Sequence, residues 1–508
     1  MCMKSKSHEP DSYTFLPFCL LPSPVPREAL KQVKALQEDI NLLMHRVAHD
    51  YEFLRDCLQS TIETDKFTAS IFRIYEKVRE AGFPQPLSLG LLRSDYLLDS
   101  KTAGSDLKNA CPKQVEVNTI SSSFGGLSPI LYRQHKYIMR NLGVTPAEEQ
   151  MPECKTDKHL SNGLLAAWKA YKNEKAAILF VVEEVTYNVC DQRQLEYAMC
   201  RVKMHATVMR RKFSELHHCE LKEGKLFVDG IEIAVVYYRT GYAPDQMDEK
   251  AWEVRLRMEL SLAIKCPSVQ YHLAGTKKVQ QVLAQPDVLE RFFTNKVNID
   301  QVRATFTGLY SLDLTPDGNK AANEAIAKPN NFVLKPQREG GGNNVYGEEV
   351  RQKLQALGRT KEREGYILMD LIRPPITPNY ILRPGGKVTA HNVISEIGVF
   401  GVILGDQDDI IENYEAGHIL RSKNVACLVV LDDVILVTED DAENSDLTDD
   451  VVRCDFATRS QDVVGGDGWS DEVHQDVALA LLGATQGLQL LANFLTVHVV
   501  ASTFPLWL

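Results

Sequence analysis

FVLKPQREGGGNNVYGEE, residues 332–349, is the stretch on which the reading of this chain turns. Phe332, Val333 and Leu334 form an apolar run of the buried-strand kind, and the run ends in Lys335. Gly340, Gly341 and Gly342 follow, with Asn343, Asn344 and Tyr346 just beyond. Three residues without a Cβ let backbone N–H groups approach an anion closely, so the segment predicts a phosphate cradle. It lacks the GK[ST] ending of a P-loop, which excludes that motif. A bare triple glycine more often makes a flexible linker. Lys335, Arg338 and Glu339 within the same few residues favour the cradle.

Outward from this centre, three further groups carry chemistry. Glu116 and Asn118 sit two apart in a strand-like alternation, residues 115–119, so their oxygens project from one face. Such a pair suits Mg²⁺, a hard cation that completes its octahedron with phosphate and water; seen alone it is more often a solvated strand edge. The adjoining SSSFGG turn, residues 121–126, offers hydroxyls and open backbone to a ligand. Arg93 and Arg239 each follow an apolar run, and a guanidinium at a strand end suits bidentate capture of a carboxylate, with a structural ion pair as the equal alternative. AGTKK, residues 274–278, is a weaker basic signal or simply a helix start. His217, His218 and Cys219 are adjacent residues without a matching set nearby, a surface group rather than a metal site. GxSxG, HExxH and GxGxxG are missing from the sequence, so covalent catalysis has no anchor.

The rest of the chain reads as α/β. Spacings of three and four (Leu36, Ile40, Leu43, Val47, then Ile71, Ile74, Val78) predict helices over residues 27–80. The apolar runs at 176–185 and 231–238 with a helix over 194–213 between them predict a βαβ unit and a parallel sheet. A further helix over 252–264 is expected to end at Cys266–Pro267, and residues 331–334, 366–369, 393–401 and 426–431 are strand candidates. From 432 to 476 acidic side chains dominate without apolar periodicity, as in a solvated tail.

Length and composition bound the possibilities. The 508 residues, 44% hydrophobic and 25% charged, suit two to four packed units. A net charge of −11 disfavours nucleic acid and acidic membrane surfaces as main partners. The 11 cysteines form no CxxC pair, which points to a reducing, cytoplasmic setting. Pro17 and Pro22 break the apolar stretch at 15–21, arguing against a secretory signal. Residues 477–508 carry no Asp, Glu, Lys or Arg, yet Gln486, Gln489 and Asn493 lie in their most apolar part, which disfavours a membrane anchor.

These segments also resemble a known family. VEVNTISSSFGGL (115–127), YYRTGY (237–242), LAGTKKVQQ (273–281), FVLKPQREGGGNNVYGEE, ISEIGVFG (394–401) and GHILRSK (417–423) are, in this order, similar to eukaryotic glutathione synthetase, over about residues 16–423. The resemblance implies an ATP-grasp fold with an inserted parallel-sheet substrate-binding domain and a helical N-terminal region. It implies a homodimer that joins glycine to γ-glutamylcysteine using ATP and Mg²⁺. Carried over by motif, Glu116, Asn118 and Glu339 are the expected Mg²⁺ ligands. Lys277, Lys335, Gly340 to Asn344, Tyr346, Met369, Ile372, Glu396 and Lys423 are expected at ATP. Arg93, Ser121, Ser123, Asn188, Gln192, Arg239, Tyr242 and Arg421 are expected at the peptide, with Arg93, Lys335 and Arg421 as catalytic groups. The implied division is an N-terminal extension (1–26), a first ATP-grasp segment with helices (27–175), a substrate-binding domain (176–276), a second ATP-grasp segment with the glycine-rich loop (277–431) and a divergent tail (432–508).

Three departures from the resemblance matter, one being that everything beyond Leu431 lacks likeness to the family and that the N-terminus starts later than is usual for it. Thr186 stands where the family has an acidic residue two positions before Asn188. After Lys423 the chain runs directly into NVACLVV where the family has a glycine- and alanine-rich lid loop, so the lid is expected to be lost. An ATP-binding variant without ligation, acting through dimerisation, is therefore the alternative expectation, and a ligase using another amino acid is a third.

Overall fold

The computed structural model describes residues 2–4, 12–100, 107–147, 150–202, 206–337, 343–430 and 433–438. Glu339, Gly340, Gly341, Gly342 and the chain beyond 438, with its acidic and apolar stretches, lie outside the described residues.

The N-terminal periodicity forms the helices Arg27–Ala35, Gln37–His49, Tyr51–Thr64 and Lys66–Glu80. Two of the breaks are set by aspartate caps: Asp50 accepts from the Phe53 N–H and Asp65 from the Thr68 N–H, each taking one of the otherwise unpaired first-turn donors. The apolar stripe Leu36, Ile40, Leu43, Val47 packs with Val269, Tyr271 and Ile403 in the largest core.

One sheet runs through most of the molecule, in the order Asp433–Thr438, Ile410–Val430, Thr389–Gly405, Ser88–Asp99, Ile264–Cys266, Ile231–Tyr238, Ala177–Val182, Val208–Lys212. Its first half is antiparallel, and from Ser88–Asp99 onward it is parallel. The parallel strands of the expected βαβ region thus continue the sheet that carries Arg93. Ala177–Val182 is buried throughout, which is why it reads as an unbroken apolar run.

Three expectations need correction. The helix over 194–213 is the helix Val189–Arg201 followed by the strand Val208–Lys212, whose pairing beside Ala177–Val182 overrides local helical character. The helix over 252–264 is Glu249–Glu259, and Ile264–Cys266 is a strand too short to show a two-residue period. The candidates at 393–401 and 426–431 are parts of much longer strands, Thr389–Gly405 and Ile410–Val430.

A second, four-stranded antiparallel sheet joins Leu309–Ser311, Tyr366–Asp370, Phe332–Pro336 and Val345–Tyr346. Phe332 and Leu334 pack in one core with Ala322 and Ala325 of the helix Pro316–Ala327 and Val350 and Leu354 of the helix Glu348–Leu357. The two-residue period therefore turns Val333 and Lys335 to the other side. Among the described residues, no helix is long and apolar enough to cross a membrane, and Cys19, Cys57, Cys111, Cys154, Cys190, Cys200, Cys219 and Cys266 are free thiols.

Candidate active site

Four neighbouring strands put their charged residues on one face of the large sheet. Cα register pairs Asn118 with Arg93, Glu116 with Asp95, Asp95 with Gly398, and Glu396 with Arg421. Directly paired residues share a face, and a strand returns to that face every second residue. Arg421, Glu396, Asp95, Arg93, Glu116 and Asn118 are thereby gathered across Ile410–Val430, Thr389–Gly405, Ser88–Asp99 and Cys111–Asn118. Arg93 stands inside its strand and not at a strand end as the sequence suggested; what surrounds it is a carboxylate on its own face.

Asp95 is the joint of this face, with no exposed side-chain surface. One carboxylate oxygen accepts from Arg93 Nε at 2.7 Å. The other accepts from Arg93 Nη2 at 2.8 Å, Asn118 Nδ2 at 2.8 Å and Arg421 Nη2 at 2.7 Å. Arg421 also donates to Glu396. Burial works to raise the Asp95 carboxyl, but Arg93 and Arg421 outweigh it and hold the group below the usual carboxylate range. Glu396 is shifted the other way, raised by burial and by the neighbouring Asp95 and Glu116 despite Arg421. Burial would lower the Arg421 guanidinium, and the surrounding carboxylates keep it firmly charged. Gly398 leaves room for the pair: a Cβ there would come within 3.0 Å of Arg93 Cδ and of Asp95 Oδ1.

The lysines come from the other side. Lys335 donates to the Val115 carbonyl at 3.0 Å, and Lys277 Nζ lies 3.8 Å from Glu116. Burial and the charge of Lys277 push Lys335 down to about 8 against the pull of Glu116 and Glu396. Lys277 opens the helix Lys277–Leu283, and the preceding Gly275 allows close approach, since a Cβ would fall 2.2 Å from Thr119 Oγ1. Lys278 turns away to Asp313 at 2.6 Å. Asn344 donates to the Tyr346 hydroxyl at 3.4 Å. Met369 lies in the middle of the second sheet between Leu309 and Val333, and Ile372 is buried two residues past its strand. Lys423 pairs in register with Ile394, two residues from the Arg421–Glu396 pair.

The 121–126 turn closes the third side. Ser121 takes a left-handed φ of 54° and donates to the Tyr238 carbonyl at 3.2 Å. The Ser123 carbonyl accepts from Arg93 at 3.0 Å, and its hydroxyl accepts from Asn188 at 3.0 Å and from Arg239 at 3.1 Å. Gln192 lies behind Asn188, donating to it at 2.7 Å and accepting from Arg210 at 2.6 Å. Arg239 also donates to the Ser122 carbonyl at 2.9 Å, while its buried Nε has no partner among the described residues, as is true of Arg421 Nε. Tyr242 donates to Glu183 at 2.7 Å, and Thr186 to the Glu183 carbonyl at 3.3 Å.

Two residues that the sequence reading passed over hold this arrangement. One is Asp95. The other is Asp191, whose carboxylate accepts from the N–H groups of Phe124 (2.8 Å), Gly126 (2.8 Å) and Leu127 (3.0 Å) and so fixes the turn. Both lie in segments singled out for Arg93 and Asn188, and in the sequence they show only as acidic residues two and three positions beyond those residues.

Described residues supply two hard oxygen donors for a divalent cation, the Glu116 carboxylate and the Asn118 amide oxygen. Both hydrogen bonds of the Asn118 amino group run to acceptors, the Arg93 carbonyl and Asp95, which fixes the amide with its oxygen on the other side. No cluster of three or more His, Cys, Asp or Glu suited to a metal occurs among the described residues. A donor set of this size fits Mg²⁺, which keeps waters and phosphate oxygens in its shell.

The profile of the family described as "Eukaryotic glutathione synthase, ATP binding domain" matches residues 1–427. The chain is 41% identical to glutathione synthetase of Xenopus laevis over 448 residues, 86% of this chain and 93% of that one. It is 42% identical to glutathione synthetase of Homo sapiens over 425 residues, 82% and 88% of the two chains. Among solved structures, a glutathione synthetase-like effector from Globodera pallida in its apo form matches with a TM-score of 0.68 at 25% identity, covering 83% of this chain and 90% of that one.

Proposed function

The chain belongs to the eukaryotic glutathione synthetase family, and from that premise we propose that its site joins glycine to γ-glutamylcysteine through an acyl phosphate. The family is one of ATP-dependent ligases, and the chain aligns with most of the length of its relatives. A carboxylate is a poor acyl donor because its leaving group is oxide. The γ-phosphoryl group of ATP therefore goes first onto the cysteinyl carboxylate, glycine's amine attacks the resulting carbonyl, and phosphate leaves the tetrahedral intermediate. Positioning and charge do this work, with no covalent bond to the protein.

The observation that carries the reading is the single face holding Arg93, Asp95, Glu396 and Arg421 beside Glu116 and Lys277, with Lys335 anchored on the same strand as Glu116. Lys277 and Lys335 hold phosphate oxygens. Arg421 Nε, Arg239 Nε and the unused N–H groups of Arg93 hold carboxylates. Glu116, Asn118 and Glu339 would hold Mg²⁺, which when bound neutralises charge on the transferring phosphoryl group. Tyr346, Met369, Ile372, Asn343, Asn344 and Gly340 to Gly342 enclose the nucleotide. ADP release measured with each co-substrate omitted in turn tests the reading. ADP is expected only when γ-glutamylcysteine and glycine are both present, and Lys335→Met and Glu339→Gln are each expected to abolish it. ADP formation that ignores γ-glutamylcysteine contradicts it.

One observation favours a second reading. Ile410–Val430 runs as an unbroken strand through Arg421 and Lys423, with no loop between them and Val430. If that leaves the acyl phosphate open to water, ADP forms with the peptide alone and glutathione does not. We further propose the division into two ATP-grasp segments (27–175 and 277–431) around a substrate-binding domain (176–276), a homodimer and a cytoplasmic setting, of which sedimentation tests the dimer.

A further inference from the structure

We propose that Asp95 is a positioning residue of this site: it sets the Arg93 and Arg421 guanidinium groups for the peptide carboxylate and turns the Asn118 amide oxygen to the cation. The proposal rests on the ligase reading and adds to it a residue that contacts no ligand.

The geometry is specific. A guanidinium has five N–H donors. In Arg93, Nε and one Nη2 hydrogen go to Asp95 and one Nη1 hydrogen to the Ser123 carbonyl. One hydrogen on each Nη remains to meet a ligand carboxylate. Asp95 thus fixes which edge of Arg93 is offered. Arg421 is held by the same carboxylate through Nη2, which leaves its Nε without a partner among the described residues. For Asn118, the Asp95 oxygen at 2.8 Å accepts from the amino half, so the oxygen half is turned to the opposite side. Three groups from three strands are oriented by one buried anion. Removing its charge leaves the buried Arg93 without its carboxylate partner and Arg421 with Glu396 and Glu116, and lets the Asn118 amide rotate.

Calorimetry on the full chain tests this. Binding of a non-hydrolysable ATP analogue is measured against Mg²⁺ concentration, and γ-glutamylcysteine binding is measured at saturating Mg²⁺ and analogue. For Asp95→Asn the peptide Kd is expected to rise about tenfold, as is the Mg²⁺ concentration for half-saturation, while the analogue Kd at saturating Mg²⁺ stays within about threefold. Leu98→Ala, a buried change on the same strand within the apolar cluster of Tyr96, Ile397 and Val399, controls for lost stability and is expected to leave all three unchanged. Gly398→Ala presses on the Arg93–Asp95 pair without altering a charge and is expected to weaken peptide binding about threefold, which reads the same joint if Asp95→Asn does not fold. Peptide binding unaltered in Asp95→Asn and Gly398→Ala, or an equal loss of peptide and analogue, overturns the proposal with the ligase reading intact. A wild type that binds the analogue and no peptide overturns both.

Discussion

Replacing Asp191 by asparagine removes one negative charge and exchanges one acceptor for a donor at the base of the 121–126 turn. In the native chain one carboxylate oxygen accepts from Gly126 and Leu127 and the other from Phe124. An amide keeps the first pair and turns its NH₂ toward the Phe124 N–H. That loses one bond and leaves a buried donor unpaired, at about 1–3 kcal/mol, and the two surviving bonds fall from charged to neutral, about 1 kcal/mol each. Part of this is offset because burial already opposes the Asp191 charge, raising its carboxyl despite Arg239 and the three N–H groups. The net expectation is about 3 kcal/mol. It is read as a shift of the urea midpoint at unchanged slope. Since the turn carries Ser121 and Ser123, kcat/KM for γ-glutamylcysteine should fall by about tenfold or more, the scale of a small misplacement. A loss of under about 0.5 kcal/mol, or an unchanged kcat/KM, would mean that Asp191 does not hold the turn in its working shape.

Two pH effects follow from buried bases. Lys335 is held at about 8 in the free protein, so above that pH its proton must be regained before it can hold phosphate. ATP-analogue affinity should fall roughly fivefold between pH 8 and 9, with proton uptake per binding event rising from about one half at pH 8 to close to one at pH 9. Calorimetry in buffers of different ionisation enthalpy measures this, and Lys335→Met should lose the uptake. His45, between the Tyr271 hydroxyl and the Asp406 carbonyl at 2.6 Å each, is lowered to about 4 by burial and by His49. The unfolded chain binds this proton below about pH 6.5 and the folded chain does not, so His45 contributes full stability above 6.5 and loses it as pH falls toward 4. The loss is about 2 kcal/mol at pH 5. His45→Gln should flatten that limb of the stability curve, and an unchanged limb contradicts the assignment.

Local signals carried much of this structure. Phe332 to Lys335 shows its strand and its terminal lysine because the two-residue period and burial agree there, and Leu36 to Val47 shows its helix because a stripe at spacings of three and four packs on one core. The strand Val208–Lys212 stayed hidden, since only pairing beside Ala177–Val182 makes it one. Asp95 stayed hidden for a similar reason. Its meaning lies in Arg421, 326 residues away, and in register with a strand that no local pattern aligns. Asp191 is read only through N–H groups about 65 residues upstream. The cation site is half legible: Glu116 and Asn118 share a face as their spacing predicts, and Glu339 lies outside the described residues.

On the proposed route the phosphoryl group is carried on the peptide carboxyl before glycine's amine attacks. That step is tested most directly with γ-glutamylcysteine labelled with ¹⁸O in the cysteinyl carboxylate, followed by mass spectrometry of the phosphate released. One labelled oxygen in each phosphate is the predicted result, because the carboxylate oxygen leaves with the phosphoryl group. Unlabelled phosphate formed alongside glutathione would rule out the acyl phosphate.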